Sequence, residues 1–312
     1  MSRGSSGTSK AKDVRRRVIA IAAVVAVAVI GVVSVAVYRE RVAPFRAAVL
    51  VVDDSRVSMG YFLKRAYLAD QAPLETLEDL IDEEIIKLEA PNPPYSIRVD
   101  DDEVDRFLRD MARGADTSIS DEVFEEWYRQ QLNESRLSDR EFRELARTNL
   151  LARGLSRYLA ERVPTVSEQV RLRMIVVPTF AEAERIRELL NDGETFADLA
   201  RQYSIDEQAA ANGGDAGWFP RRVLAPHVGR AVFDELAVGE PSDPLVLDGE
   251  TYTVVTVTER AAGRQIDEGH LRLMRSRALQ DWLAEQEDAH EVEFHGLTNG
   301  YDSETEGWVQ WQ

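Results

Sequence analysis

The chain contains no cysteine. That absence excludes a disulfide-stapled scaffold, a thiolate metal centre, a thiol nucleophile and lipid attachment at an N-terminal cysteine. Histidine is nearly as scarce. His227, His270, His290 and His295 are the four in 312 residues, and any imidazole chemistry must come from them. Positive charge is in deficit, 38 Lys and Arg against 56 Asp and Glu for a net charge of -18. The basic footprint that nucleic acid demands is therefore missing. No phosphate-binding glycine loop and no Ser-His-Asp pattern occurs, and no cofactor or metal is expected. His290 and His295 sit in HEVEFHG, which alternates as a short strand would. What is present, 44% hydrophobic and 30% charged residues, is the composition of a folded protein long enough for two domains.

Charge is unevenly spread. Residues 1–41 hold eight Lys or Arg and two acids, whereas residues 42–312 hold 30 and 54. Between these regions lies VIAIAAVVAVAVIGVVSVAV, twenty uncharged residues bounded by Val18 and Val37. As a helix it would span about 30 Å, the thickness of a bilayer core. Arg15, Arg16 and Arg17 precede it directly. The positive-inside rule then makes 1–17 a cytoplasmic tail, 18–37 a membrane contact as a single transmembrane helix, and 42–312 extracytoplasmic. A cleaved signal peptide is the alternative, although SVAVYRE is a poor cleavage site.

Residues 42–168 read as mainly helical. AAVLVV suggests a strand, Asp53-Asp54-Ser55 a turn, and Ser58 a helix cap. Leu77, Leu80, Ile81, Ile85 and Leu88 recur at helical spacing, and Pro91, Pro93 and Pro94 end that run. Asp100 with Glu103, and Ser138 with Glu141, form capping-box pairs ahead of further apolar stripes. The order strand, turn, LIDEEIIKLEA, VDDDEVDRFL and LSDREFRELARTNLLARGL resembles the N-terminal chaperone domain of SurA and PrsA-type foldases. That resemblance implies an all-α chaperone domain.

Residues 169–260 change character. LRMIVV reads as a strand, Thr179 and Glu182 open a helix, and ETFADLARQYS forms a second. A loop carrying Gly213, Gly214 and Gly217 follows, then a third helix over 225–236, a GEPSDP turn and an alternating strand over 251–257. Three blocks stand out in order: Gly193, Phe196, Leu199, Ala200 and Ser204; GGDAGWF at 213–219; and VGEPSDPL at 238–245. Together they strongly resemble the parvulin (PpiC, rotamase) family of peptidyl-prolyl cis-trans isomerases. The resemblance implies a small FKBP-like α/β domain with an antiparallel-type sheet and three or four helices, in a chain that is α+β overall.

It also implies site residues. The family places two histidines on neighbouring strands, with an acid nearby and apolar side chains gripping proline. Met174 and Thr253 stand at the histidine positions of this chain, and Asp206 at the acidic one. Leu224, Val228 and Phe233 match the proline-binding wall, Val228 replacing a phenylalanine, and Trp218 of the GWF block joins them as a substrate-binding candidate. Neither Met174 nor Thr253 can titrate near neutral pH. His227 reads as a polar neighbour of the wall, and Asp215 as a turn residue bonding backbone amides.

The expected function is a membrane-anchored extracytoplasmic folding factor. It would bind unfolded or newly translocated polypeptides, including X-Pro segments, and not nucleic acid; its isomerase activity would be weak or lost. A fully active isomerase and a non-catalytic membrane scaffold remain alternatives. Residues 264–312 read as a helix over about 268–288 and a short strand at Val292 and Phe294. They are expected to pack back on the helical domain, the alternative being a free tail.

Overall fold

The structure, a computed structural model, describes residues 43–295 apart from Asp70, Asp116 and Asp248. In chain order it runs α1 (Ala43–Arg46), β1 (Ala48–Val52), β2 (Ser55–Ser58), α2 (Met59–Ala69), α3 (Pro73–Glu89), α4 (Asp101–Arg113), α5 (Asp121–Ser135) and α6 (Asp139–Glu161). Next come β3 (Val166–Val177), α7 (Phe180–Asn191), α8 (Phe196–Tyr203), α9 (Glu207–Ala211), β4 (Asp215–Pro220) and α10 (Pro226–Arg230), the last continued by a π turn over Ala231–Glu235. Then follow β5 (Leu245–Val246), β6 (Tyr252–Gln265), α11 (Glu268–Glu287) and β7 (Val292–Phe294). Among the described residues two units result: 43–154 together with 283–295, and Leu155–Trp282. The chain leaves the first unit within α6 and re-enters it within α11.

The first unit corrects the all-α expectation. It holds a three-stranded antiparallel sheet in the order β2-β1-β7. β1 is AVLVV, β-branched and apolar, with Val49, Leu50 and Val52 fully buried. β2 returns along it after the Asp53-Asp54 turn, and β7 pairs on the other side, Val52 opposite Val292 and Leu50 opposite Phe294. The Asp53 carboxylate locks that return. It accepts from the Glu291 amide at 2.9 Å and meets His290 Nδ1 at 2.7 Å. The hydrogen bond from His290, then that from the Glu291 amide, holds the Asp53 carboxyl below its ordinary range.

The expected transmembrane helix, residues 18–37, lies outside the described residues; among those described no helix is long and apolar enough to cross a membrane. The fold is mixed α/β, each of its two units containing a sheet.

Helices pack around the first sheet as their stripes dictate. α3 buries Leu77, Leu80, Ile85 and Ile86. A second cluster joins Val104, Leu108, Leu137, Phe142 and Ala146, with Phe124, Trp127 and Tyr128 partly buried around it. The Tyr128 and Phe142 rings meet edge to face at 5.5 Å. Asp100 and Glu103 form the expected capping box at the start of α4, an arrangement that typically contributes ~1 kcal/mol.

The outer face of α3 carries a cost. Burial pushes the Asp82 carboxyl up to about 6, with Glu287, Asp79, Glu78 and Glu83 adding like-charge repulsion. A carboxyl raised in the folded state favours folding below its unfolded pKa, and that contribution is lost as pH rises through about 6. Asp82→Asn therefore stabilises the protein at pH 7. After discounting for solvent screening the gain is about 1 kcal/mol, or roughly 2–4 °C in Tm. Thermal unfolding at pH 7 and pH 4 checks this: the gain should vanish at pH 4, and equal Tm values at pH 7 would refute it.

The second unit is built on a four-stranded antiparallel sheet, β4-β3-β6-β5. β3 and β6 form its long central ladder, from Val166 opposite Gln265 to Val177 opposite Tyr252. Both faces of the ladder are covered where it is most apolar. Ile175, Val177 and Val254 face α7 and α8 with Ala183, Ile186, Phe196 and Leu199. Leu172, Met174, Val255 and Val257 face the opposite way, against Val228, Val232 and Phe233. Uninterrupted MIVV and TVVTV runs are the sequence form of strands buried on both sides.

Candidate functional site

The site candidates gather on the sheet face that meets α10 and its π turn. Met174 lies opposite Val255 on the central ladder, and Thr253 opposite Val176 on one side and Leu245 on the other. Side chains alternate along strands, so Met174 and Thr253 share this face as diagonal neighbours, a relation that puts such residues about 7–8 Å apart. Met174, Val228 and Phe233 belong to one buried cluster, with Leu224 packed at its margin. Pro226 at the first helical turn starts the wall, its fixed φ suiting that position.

Thr253 is fully buried, and its hydroxyl has no hydrogen-bond partner among the described residues. An unmade hydrogen bond at such a place costs about 1–3 kcal/mol. Met174 supplies a thioether, which neither titrates nor donates. At positions 174 and 253 the face therefore offers apolar surface and one hydroxyl, with no acid–base pair.

Asp206 follows a segment bonded to β3. Val176, opposite Thr253, gives its amide to Ser204 Oγ at 3.1 Å and accepts from the Ile205 amide at 2.8 Å. The Asp206 Oδ1 then accepts from the Gln208 and Ala209 amides, both at 3.0 Å. Its carboxylate caps α9 and is exposed. The segment expected to be a loop thus contains a helical turn and a strand, because the Asp206 cap and three consecutive alanines favour the turn.

Gly214 closes this segment against the sheet. Its φ is +87°, and an added Cβ would stand 2.9 Å from the Phe196 ring and 3.2 Å from the Met174 carbonyl. Its own carbonyl accepts from the Met174 amide at 2.8 Å. Asp215 makes the expected turn bond, accepting from the Gly217 amide at 3.1 Å, and also pairs with Arg171 at 2.6 Å. That pairing holds the Asp215 carboxyl below the usual range.

Trp218 does not join the other candidates. It lies opposite Arg171, and its ring stacks 4.5 Å from the Arg264 guanidinium. Phe219, one residue on, packs against the Met174 cluster instead, as strand alternation requires. His227 bonds the Val246 carbonyl through Nε2. Sequence reasoning also missed Val232, Leu245, Ser242 and Arg260. Ser242 is tied to β6, donating its amide to the Val255 carbonyl at 2.8 Å and accepting from the Val255 amide at 3.0 Å. The apolar ones had a signal in the VGEPSDPL block and the helix spacing; Arg260 had none.

Residues 178–259 match the family model described as Rotamase, the PPIC-type PPIASE domain. The chain is 28% identical over 195 residues to the foldase protein PrsA of Geobacillus kaustophilus, covering 62% of this chain and 64% of that protein. It is 33% identical over 118 residues to the chaperone SurA of Pseudomonas syringae pv. tomato, covering 36% and 27%. The matched part thus spans less than two thirds of these relatives. A crystal structure of PrsA from Bacillus anthracis aligns over 75% of this chain and 94% of its own, with 18% identity and a TM-score of 0.38. The chain has a PPIC-type domain and PrsA and SurA foldases as homologues, the resemblance its sequence blocks carry.

Proposed function

We propose that the protein is an extracytoplasmic foldase. It binds unfolded or newly translocated polypeptide, including X-Pro segments, through a parvulin-type domain whose isomerase activity is weak or lost. The observation that carries this reading is the pair Met174 and Thr253: an apolar wall is retained around them while both lack a titrating group. Rotation about an X–Pro bond faces a barrier of roughly 20 kcal/mol. Burying proline and withdrawing water can lower it somewhat, but a positioned polar pair lowers it more. The extracytoplasmic location rests on the basic residues ahead of the apolar stretch 18–37.

The test pairs two assays on the full chain. Suppression of aggregation by an unfolded client should be clear, and acceleration of a proline-limited refolding reaction close to background. Rapid turnover would make the protein an active isomerase; failure to suppress aggregation would leave a scaffold role.

A further inference from the structure

The wall that bears Val228 and Phe233 is short. Five helical residues, Pro226–Arg230, pass into a five-residue π turn closed by the Leu236 amide on the Ala231 carbonyl at 2.9 Å. A helical stretch of this length is marginal on its own, and its last carbonyls have no partners within it. Arg260 supplies them. It stands on β6 opposite Val170, on the sheet face that holds the Met174 cluster. Its Nη1 donates to the Phe233 carbonyl at 3.1 Å, and its Nη2 to the Val232 and Leu236 carbonyls at 2.8 and 2.6 Å. One rigid, planar cation thus closes the end of the wall, where positive charge also suits the helix dipole.

The outer side of Phe233 is fixed separately. Arg221 stacks 4.5 Å from the ring centre and grips Asp234 with both terminal nitrogens, at 2.8 and 2.6 Å. With Phe233 held from outside, its depth over the sheet is left to the backbone that Arg260 holds. The geometry points to Arg260 as a positioning residue that sets the distance of Val228 and Phe233 from Met174 and Thr253, and so the fit of a proline ring. This rests on the reading of that face as a peptide site.

The test compares the full chain with its Arg260→Ala, Arg260→Lys and Arg171→Ala variants. Arg171→Ala removes two ion pairs, to Asp215 and to Glu259, and leaves the wall untouched. The probe is the tetrapeptide Ala-Ala-Pro-Phe, titrated against methyl-labelled protein at a temperature where every variant is folded. Arg260→Ala should weaken binding about ten- to a hundredfold, the size of effect a small misplacement of binding groups produces. Arg260→Lys should do the same, since one ammonium cannot span three carbonyls. Added guanidinium ion should partly restore Arg260→Ala. The Val228 and Val232 methyl resonances should move in peptide-free Arg260→Ala and stay in place in Arg171→Ala. Native affinity with unmoved resonances in Arg260→Ala overturns the proposal. A native chain that binds no peptide overturns the peptide-site reading instead, and the resonances alone then decide: moved, Arg260 positions the wall; unmoved, it does not.

Discussion

Replacing Met174 and Thr253 together by histidine should raise prolyl isomerisation about 30- to 1,000-fold, the equivalent of 2–4 kcal/mol of transition-state stabilisation. The two positions share one face of adjacent central strands beside Val228 and Phe233, so paired imidazoles would meet over the amide that the wall presents. Histidine fits more easily in the place of Met174 than in that of Thr253, which has no exposed surface. Overpacking there costs about 1–3 kcal/mol of stability, and the double variant should unfold at a lower temperature even as it turns over faster. Each single variant should gain much less than the pair, because groups that act as a unit are not additive. The measurement is kcat/KM in a proline-limited refolding assay at a temperature where both proteins are folded. An unchanged rate would show that the missing polar pair is not what limits this site.

Gly214→Ala should destabilise the parvulin-type unit by about 2–5 kcal/mol. Left-handed backbone costs an L-residue about 1–2 kcal/mol, and pushing aside the Phe196 ring and Met174 carbonyl adds an overpacking cost of about 1–3 kcal/mol. Gly217 is the internal control. Its φ is +89°, much like the +87° of Gly214, but an added Cβ would meet nothing within 4 Å. Gly217→Ala should therefore lose only the conformational part, about 1–2 kcal/mol. Urea unfolding of the two variants separates the contributions. Equal losses would mean that the close approach to Phe196 matters little.

Local chemistry was legible in the sequence wherever partners lie a few residues apart. Asp100 with Glu103, Ser138 with Glu141 and Thr179 with Glu182 are hydrogen-bonded as their spacing implies. The apolar wall was legible through Val228 and Phe233, and Asp215 through its turn chemistry. Pairings whose partners lie far apart in the chain were not. The short strand at Val292 and Phe294 was legible, but its pairing with β1 was not, and an all-α reading of the first unit was the result. Trp218 and Phe219 differ by one residue and therefore by one face, a distinction set by the register with β3. The region read as one helix over 225–236 is interrupted in kind, α giving way to a π turn at Ala231. Arg260 acts on carbonyls some two dozen positions earlier, and no periodicity announces such a bond.

The pairing of β7 with β1 ties the earliest described strand to the latest. A chain delivered from its N-terminus presents β1 with β2 on one side and an unoccupied edge on the other until residues 292–294 arrive. The unit that closes last during synthesis is therefore the one that began first. A product cut short before His290 lacks both the strand and the side chain that fastens Asp53, and it keeps an open, apolar sheet edge of the kind that proteases and aggregation exploit. Arrival of residues 292–294 is in this way a condition for covering the free edge of β1.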